Sequence, residues 1–257
     1  MKGVKEMALY AIGDLHLSFS TDKPMDIFGS AWKMHTKVLE ENWKAKVREE
    51  DTVVLVGDHS WALKPDDAVS DLTFIHNLPG RKILMKGNHD LWWPTARKLQ
   101  QLCAEHGLTT LSFLQGSALV VEDAFEPGTD AVVCGTRGWI CPGDRDFGKM
   151  DEAVYRREGL RLETALKQGQ KEIARLSEAG RRGIMIGFMH YPPMGNGNSD
   201  TVFTDLFSRY GVTQVYYGHL HGFSAEEVRT LPASVVQYRL ISGDYVAFNP
   251  VLIRKGN

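Results

Sequence analysis

The sequence predicts an α/β protein in which layered β-sheets carry helices on their outer faces. Three observations lead there. Apolar runs rich in β-branched or aromatic residues recur at Ala8 to Ile12, Val53 to Val56, Ile184 to Phe188 and Val215 to Tyr217, as strands buried on both faces do. In the front half, segments with helical spacing alternate with such runs, which is a βαβ pattern. The back half adds several more strand-like runs, and that mixture calls for stacked layers.

The elements follow in order. A strand covers residues 8–12. Residues 32–47 read as a helix, with Trp32, Val38, Leu39, Trp43 and Val47 as a partial apolar stripe. Asp51 precedes a strand that runs through Val56. Pro65 suits the first turn of a helix over 66–77, and Pro79-Gly80 breaks it before a strand at 81–85. Pro94 opens a helix that Gly107 closes after His106. From there to Cys134 the pattern is shorter and strand-like, with Gly128 in a turn. Residues 151–178 form the longest helical stretch, its apolar positions being Leu160, Leu162, Leu166, Ile173 and Leu176. A strand at 184–188, a helix at 201–210 and a strand at 214–217 follow. Val235 to Leu240 and Tyr245 to Phe248 read as a terminal β-hairpin. With no repeat, low-complexity stretch or linker in view, residues 1–257 read as a single domain.

Composition narrows the function classes. Hydrophobic residues make up 43% of the chain, enough for a substantial core. The net charge of -2 argues against a strong general affinity for nucleic acid or anionic membrane. No apolar run approaches the length that spans a bilayer. Met1 to Met7 carries two Lys and one Glu and leads at once into a strand-like run, not a signal-peptide core. The three cysteines, Cys103, Cys134 and Cys141, read as reduced thiols, and a cytoplasmic location is expected. Cys134 and Cys141 alone make a poor zinc site, so a structural or incidental role is expected for them.

Polar residues gather where the predicted strands end. Asp14-Leu15-His16, Gly57-Asp58, Gly87-Asn88-His89-Asp90, Met189-His190-Tyr191 and Gly218-His219-Leu220-His221 together hold five of the nine histidines. An α/β sheet delivers ligand-bearing loops to one edge in this way. Polar groups left unpaired at strand ends would be costly, so these five segments are expected to carry one metal site between them. His35, His76 and His106 carry no such context and read as ordinary surface or core residues. Trp61, Trp92 and Trp93 read as core packing in preference to a stacking platform.

The order D-x-H, GD, GNHD, H and GHxH resembles the calcineurin-like metallophosphoesterases over Asp14 to His221. Gly57-Asp58-His59-Ser60-Trp61, His190-Tyr191-Pro192-Pro193 and Ser242-Gly243-Asp244-Tyr245 look like a bacterial branch of predicted phosphohydrolases. The resemblance implies a four-layer αββα sandwich with two mixed β-sheets. It also implies two divalent ions, the first held by Asp14, His16 and His221, the second by Asn88, His190 and His219, with Asp58 bridging them. Mixed N and O donors suit Mn, Fe, Zn, Co or Ni better than Ca or Mg. The ions would generate a hydroxide that attacks a phosphomonoester or phosphodiester. His89 would stabilise the transition state or protonate the leaving oxygen, and Asp90 would hydrogen-bond and orient its ring. One departure stands out: many relatives have an acidic residue shortly after GD, where this chain has Ser60-Trp61.

Specificity is expected from the segment Gly135 to Lys149, where Arg137 or Arg145 reaches a phosphate oxygen, or else the charges pair on the surface. The loop Gly195-Asn196-Gly197-Asn198 is a candidate lip. His59 faces substrate or makes a structural hydrogen bond. The expected activity is hydrolysis of a small phosphorylated or nucleotide-like substrate, with no membrane partner. Two alternatives stand beside it. A nuclease or other nucleic-acid phosphodiesterase needs a basic groove. A non-catalytic scaffold tends to lose ligands, and this chain keeps the full set.

Overall fold

The structure, a computed structural model, describes residues 7–224 and 235–255; most of the opening stretch Met1 to Met7 lies outside the described residues. Two five-stranded sheets stack face to face. The first contains β1 (Leu9–Ile12), β2 (Thr52–Leu55), β3 (Arg81–Met85), β4 (Leu111–Leu114) and β10 (Val251–Ile253), in the order β10-β1-β2-β3-β4. Only β10 runs antiparallel in it. The second contains β5 (Ala118–Glu126), β6 (Thr129–Thr136), β7 (Arg182–Met189), β8 (Gln214–Tyr217) and β9 (Gln237–Leu240) in sequential order. Its strands are parallel except at the β5–β6 hairpin, which turns at Gly128 (φ +82°).

Alternation along each strand builds the layers. Val54, Val56, Ile83 and Met85 point between the sheets, where they meet Val133, Ile186, Phe188 and Tyr216. Val53, Leu55 and Leu84 point outward against α1 (His35–Lys46), α2 (Val69–Asn77) and α3 (Ala96–His106), through Leu39, Trp43, Leu72, Ile75 and Leu99. On the opposite outer face, Val132, Met185 and Val215 pack under α4 (Lys149–Glu178) and α5 (Val202–Arg209), through Leu162, Leu166, Phe203 and Phe207. The result is the expected αββα sandwich, with an apolar layer at each of its three internal interfaces. Among the described residues no helix is long and apolar enough to cross a membrane.

Two local expectations are corrected. The terminal hairpin does not form. β9 extends the second sheet in parallel with β8, and the chain then crosses to the first sheet, where β10 pairs with β1. Residues Tyr245 to Phe248 form a turn instead, with Ala247 and Phe248 at positive φ and Phe248 N–H donating to Gly243 O at 2.7 Å. The first helix also starts later than its apolar stripe suggests. Ser30–Trp32 is a separate 3-10 turn, and Met34 in the left-handed region interrupts the path into α1.

Candidate metal centre

Each predicted ligand follows a strand closely, and both sheets contribute. Asp14 and His16 follow β1, Asp58 follows β2 and Asn88 follows β3. His190 directly follows β7, and His219 and His221 follow β8. These are the C-terminal ends of parallel strands, so their loops meet at one edge of the sandwich. Backbone bonds stitch them together: Asp14 N–H donates to Gly57 O and His16 N–H to Asp58 O, each at 2.9 Å. Gly218 N–H donates to His190 O at 3.0 Å.

Two groups of donors result. The ligand atoms of Asp14, His16 and His221 lie within 4.8 Å of one another, and so do those of Asp58, His190 and His219. His16 Nε2 and His221 Nε2 face each other at 3.2 Å. Asn88 Oδ1 sits 2.7 Å from His190 Nε2 and 2.8 Å from His219 Nδ1, which joins it to the second group. Asp58 Oδ2 lies between the groups, 3.4 Å from His190 Nε2 and 3.8 Å from His16 Nε2. It is buried without a hydrogen-bond partner among the described residues.

The backbone is shaped for these donors. Asp14, His16, Asp58 and His219 all have positive φ, between 44° and 72°, a conformation that costs non-glycine residues energy and concentrates at functional sites. Of Gly13, Gly57, Gly87 and Gly218, the glycines of the ligand loops, only Gly57 uses the left-handed region, at φ +109°. Gly87 and Gly218 are needed for space: a Cβ on either would lie 2.1 Å from Asp58 Oδ1 or 2.2 Å from Asp14 Oδ2.

Electrostatics fit cation binding. Burial raises Asp14 above the usual carboxylate range. Burial would raise Asp58 too, but the His190 and His16 imidazoles outweigh it and hold that carboxyl well below its ordinary value. Burial alone would lower His190; the Asp58 carboxylate reverses this and holds the imidazole protonated beyond its usual pH. His16 and His219 are pulled down to about 3, first by burial, and so present neutral nitrogens. Two buried carboxylates, the imidazole nitrogens of His16 and His221 held 3.2 Å apart and an orphaned carboxylate oxygen are a donor set that divalent cations would satisfy. The residues present therefore fit the implied ions.

His89 stands at the mouth of this cluster. Its ring is 5.6 Å from that of His16 and 4.5 Å from Trp61, and burial lowers its pKa. Asp90 does not orient it. The Asp90 carboxylate is fully buried and accepts from the backbone N–H groups of Asp58, His59, Ser60 and Gly87 and from Trp92 Nε1, at 2.8 to 3.3 Å. Its place is beneath the site, clamping the β2 and β3 loops to each other. His59 is also enclosed at 0% exposure, its Nε2 2.7 Å from Met85 O. That is the structural alternative, and burial denies it a substrate contact.

Two partners went unread in the sequence. Asp244 lies 2.9 Å from His221 Nδ1 and accepts from Gly222 N–H at 2.9 Å, which fixes the ring. Trp61 stacks on His16 at 4.9 Å between centroids, whereas Trp92 and Trp93 are buried in the core. The Ser242 to Tyr245 stretch was visible as a resemblance, but nothing in its spacing pointed Asp244 at a histidine. Arg137 comes to the site through its carbonyl, which accepts from His190 N–H at 3.2 Å and Tyr191 N–H at 2.9 Å. Its segment touches the cluster through Trp139 on Tyr191 and Tyr191 on His219, with centroids 5.3 and 4.2 Å apart. The candidate lip docks onto the same segment, Asn198 Nδ2 donating to Pro142 O at 3.0 Å.

Comparison with known proteins agrees with this picture. The sequence matches the calcineurin-like phosphoesterase family over residues 7–223. No curated protein sequence matches. Among solved structures, a phosphopantetheinyl hydrolase (PptH) from Mycobacterium tuberculosis is 16% identical with a TM-score of 0.51; the match covers 95% of this chain and 91% of that one. The protein of unknown function AQ665 from Aquifex aeolicus is 14% identical with a TM-score of 0.48, covering 95% and 94%. At such identity the first likeness speaks for the fold alone.

Proposed function

The chain belongs to the calcineurin-like phosphoesterase family, and from that premise we propose that its metal-dependent phosphoester hydrolysis uses a dinuclear centre and a small phosphorylated substrate. Asp14, His16 and His221 would hold one ion, and Asn88, His190 and His219 the other. The observation that carries this reading is the position of Asp58 Oδ2, buried, without a hydrogen-bond partner among the described residues, and within 3.8 Å of an imidazole from each group. A shared anion at that point offsets the repulsion of two cations. When bound, such ions supply charge neutralisation at the phosphoryl group and activation of a water nucleophile near neutral pH.

The protein's own residues do the rest. Asp90 holds the Asp58 and Gly87 backbone so that the Asp58 carboxylate and Asn88 converge. Asp244 fixes the His221 ring from behind, as outer partners of ligating histidines do. His89, next to a proposed ligand yet outside both groups, would donate a proton to the leaving oxygen or stabilise charge on the phosphoryl oxygens. Arg137 is the proposed substrate contact. The test is a panel of chromogenic phosphomonoesters and phosphodiesters, assayed after chelation and after reloading with Mn, Fe, Zn, Co or Ni. Turnover that chelation abolishes and reloading restores is expected. No turnover with any metal would refute the reading.

A further inference from the structure

Beside the proposed centre lies a cavity of about 380 Å³ whose lining includes Lys86, Thr136, Arg137, Arg157, Glu158 and Arg161. Four of these side chains are cations and one is an anion, in a chain whose net charge is -2. The local excess of positive charge is therefore a feature of this cavity and not of the molecule. Glu158 is fully buried at its wall, 2.6 Å from Arg161 Nη1 and 3.8 Å from Arg137 Nη2, and accepts from Thr136 Oγ1 at 2.6 Å. One carboxylate thus faces two guanidinium groups and leaves them positively charged on balance. Arg137 Nε is buried with no hydrogen-bond partner among the described residues, and its guanidinium carbon is held 4.8 Å from the centre of the Trp139 ring. A buried, unpaired guanidinium nitrogen is costly unless a ligand completes it.

The cavity lining joins the proposed ligands through the backbone. Lys86 ends two residues before Asn88, and the carbonyl of Arg137 accepts from His190 N–H. Both Asn88 and His190 belong to the second donor group, so the cavity adjoins that ion's side of the centre.

Resting on the dinuclear reading above, we propose that the Lys86, Arg137, Arg157 and Arg161 cavity is a subsite for a second phosphate of the substrate. The substrate class is then a small molecule carrying a scissile phosphoester and a separate phosphate group. Guanidinium groups suit this task because their forked donors match phosphate oxygens and their charge is permanent.

The experiment uses the full chain in two states. In the first, the chelated, metal-free protein is titrated with inorganic phosphate by calorimetry at low salt, beside an Arg157→Gln/Arg161→Gln variant. Both arginines are exposed, and Glu158 keeps Thr136 Oγ1 and Arg137 beside it when Arg161 is replaced, so the variant is expected to fold, which a thermal melt checks before titration. Its phosphate affinity should fall about tenfold or more, the scale of one charge-assisted contact; affinity within about twofold of the unaltered protein overturns the subsite. In the second state, the metal-loaded protein is titrated with n-alkyl monophosphates and with alkanediol bisphosphates of increasing chain length. The best bisphosphate should bind about tenfold or more tightly than its monophosphate, and the variant should erase that preference. Phosphate binding without any bisphosphate preference would mean a free-anion site and would overturn the substrate assignment. Failure of the dinuclear reading shows separately, as absence of metal-restored turnover, while the metal-free titration still judges the cavity.

Discussion

Asp90→Asn separates two ways in which a buried carboxylate beside the proposed catalytic histidine, His89, can act. Asp90 Oδ2 accepts from Asp58 N–H at 2.9 Å and Gly87 N–H at 2.8 Å, while Oδ1 accepts from His59 N–H, Ser60 N–H and Trp92 Nε1. An amide keeps one oxygen. With its oxygen in the Oδ1 position, its NH₂ confronts two backbone donors; flipped, it confronts three. Two buried N–H groups therefore lose their acceptor at the least, at about 1–3 kcal/mol each. A destabilisation of at least about 2 kcal/mol follows, which lowers Tm by roughly 4–8 °C in a chain of this size. The same N–H groups anchor Asp58 and the loop of Asn88, so metal affinity should fall about 10- to 100-fold, as it does when outer partners of metal ligands are removed. The assay is paired: a thermal melt of the metal-free protein and a metal titration by calorimetry. Unchanged melting and unchanged metal affinity, with activity lost, would refute this reasoning and restore Asp90 to the task of orienting His89.

Other outcomes follow from the same geometry. His89→Ala should retain the metals and lose about 10²- to 10⁴-fold in turnover, with a smaller loss on esters whose leaving group needs no proton; equal losses on aryl and alkyl esters would instead assign His89 to the phosphoryl oxygens. Lys82→Met should destabilise the fold. The fully buried ammonium donates to the carbonyls of His76, Leu78 and Gly80 and to Thr110 Oγ1, closing the C-terminal end of α2. The His76 carbonyl keeps Thr110 Oγ1 as a donor, but the Leu78 and Gly80 carbonyls are left without one, at a cost of about 2 kcal/mol or more, read as a drop in the denaturant midpoint. Cys134, buried and with its thiol pushed up to about 12 by burial, should resist alkylation at pH 8 in the folded protein, whereas half-exposed Cys103 reacts; labelling of Cys134 before unfolding would contradict the packing under α4.

Much of this was readable before any coordinates. Strands such as Val53 to Val56 are apolar throughout because both faces are covered, and an abrupt change to Gly57-Asp58 marks where the strand leaves the core. The ligand loops were legible for that reason. What stayed hidden depends on direction in space. Asp90 follows His89 in sequence, which suggested a partner for its ring, yet its side chain turns inward toward the N–H groups of a loop 30 residues away. His59 follows a proposed ligand, but the backbone turn at Asp58 (φ 53°) precedes a side chain lodged against β3. β10 has only three residues, too few for a period to show, and its partner β1 lies at the other end of the chain. The cationic cavity joins residues of β6, α4 and the end of β3. Apart from Arg137, its cations sit in helical or pre-loop stretches where lysine and arginine are commonplace, so no local pattern distinguished them.

The proposed sharing of Asp58 by two ions can be checked by elemental analysis of protein reloaded with a single metal and freed of excess, for the unaltered chain and for Asp58→Ala. About two ions per chain are predicted for the former, and for the variant a loss at both positions, because one carboxylate serves both donor groups. A single ion per chain, or one ion that stays tightly bound when Asp58 is removed, would contradict the account.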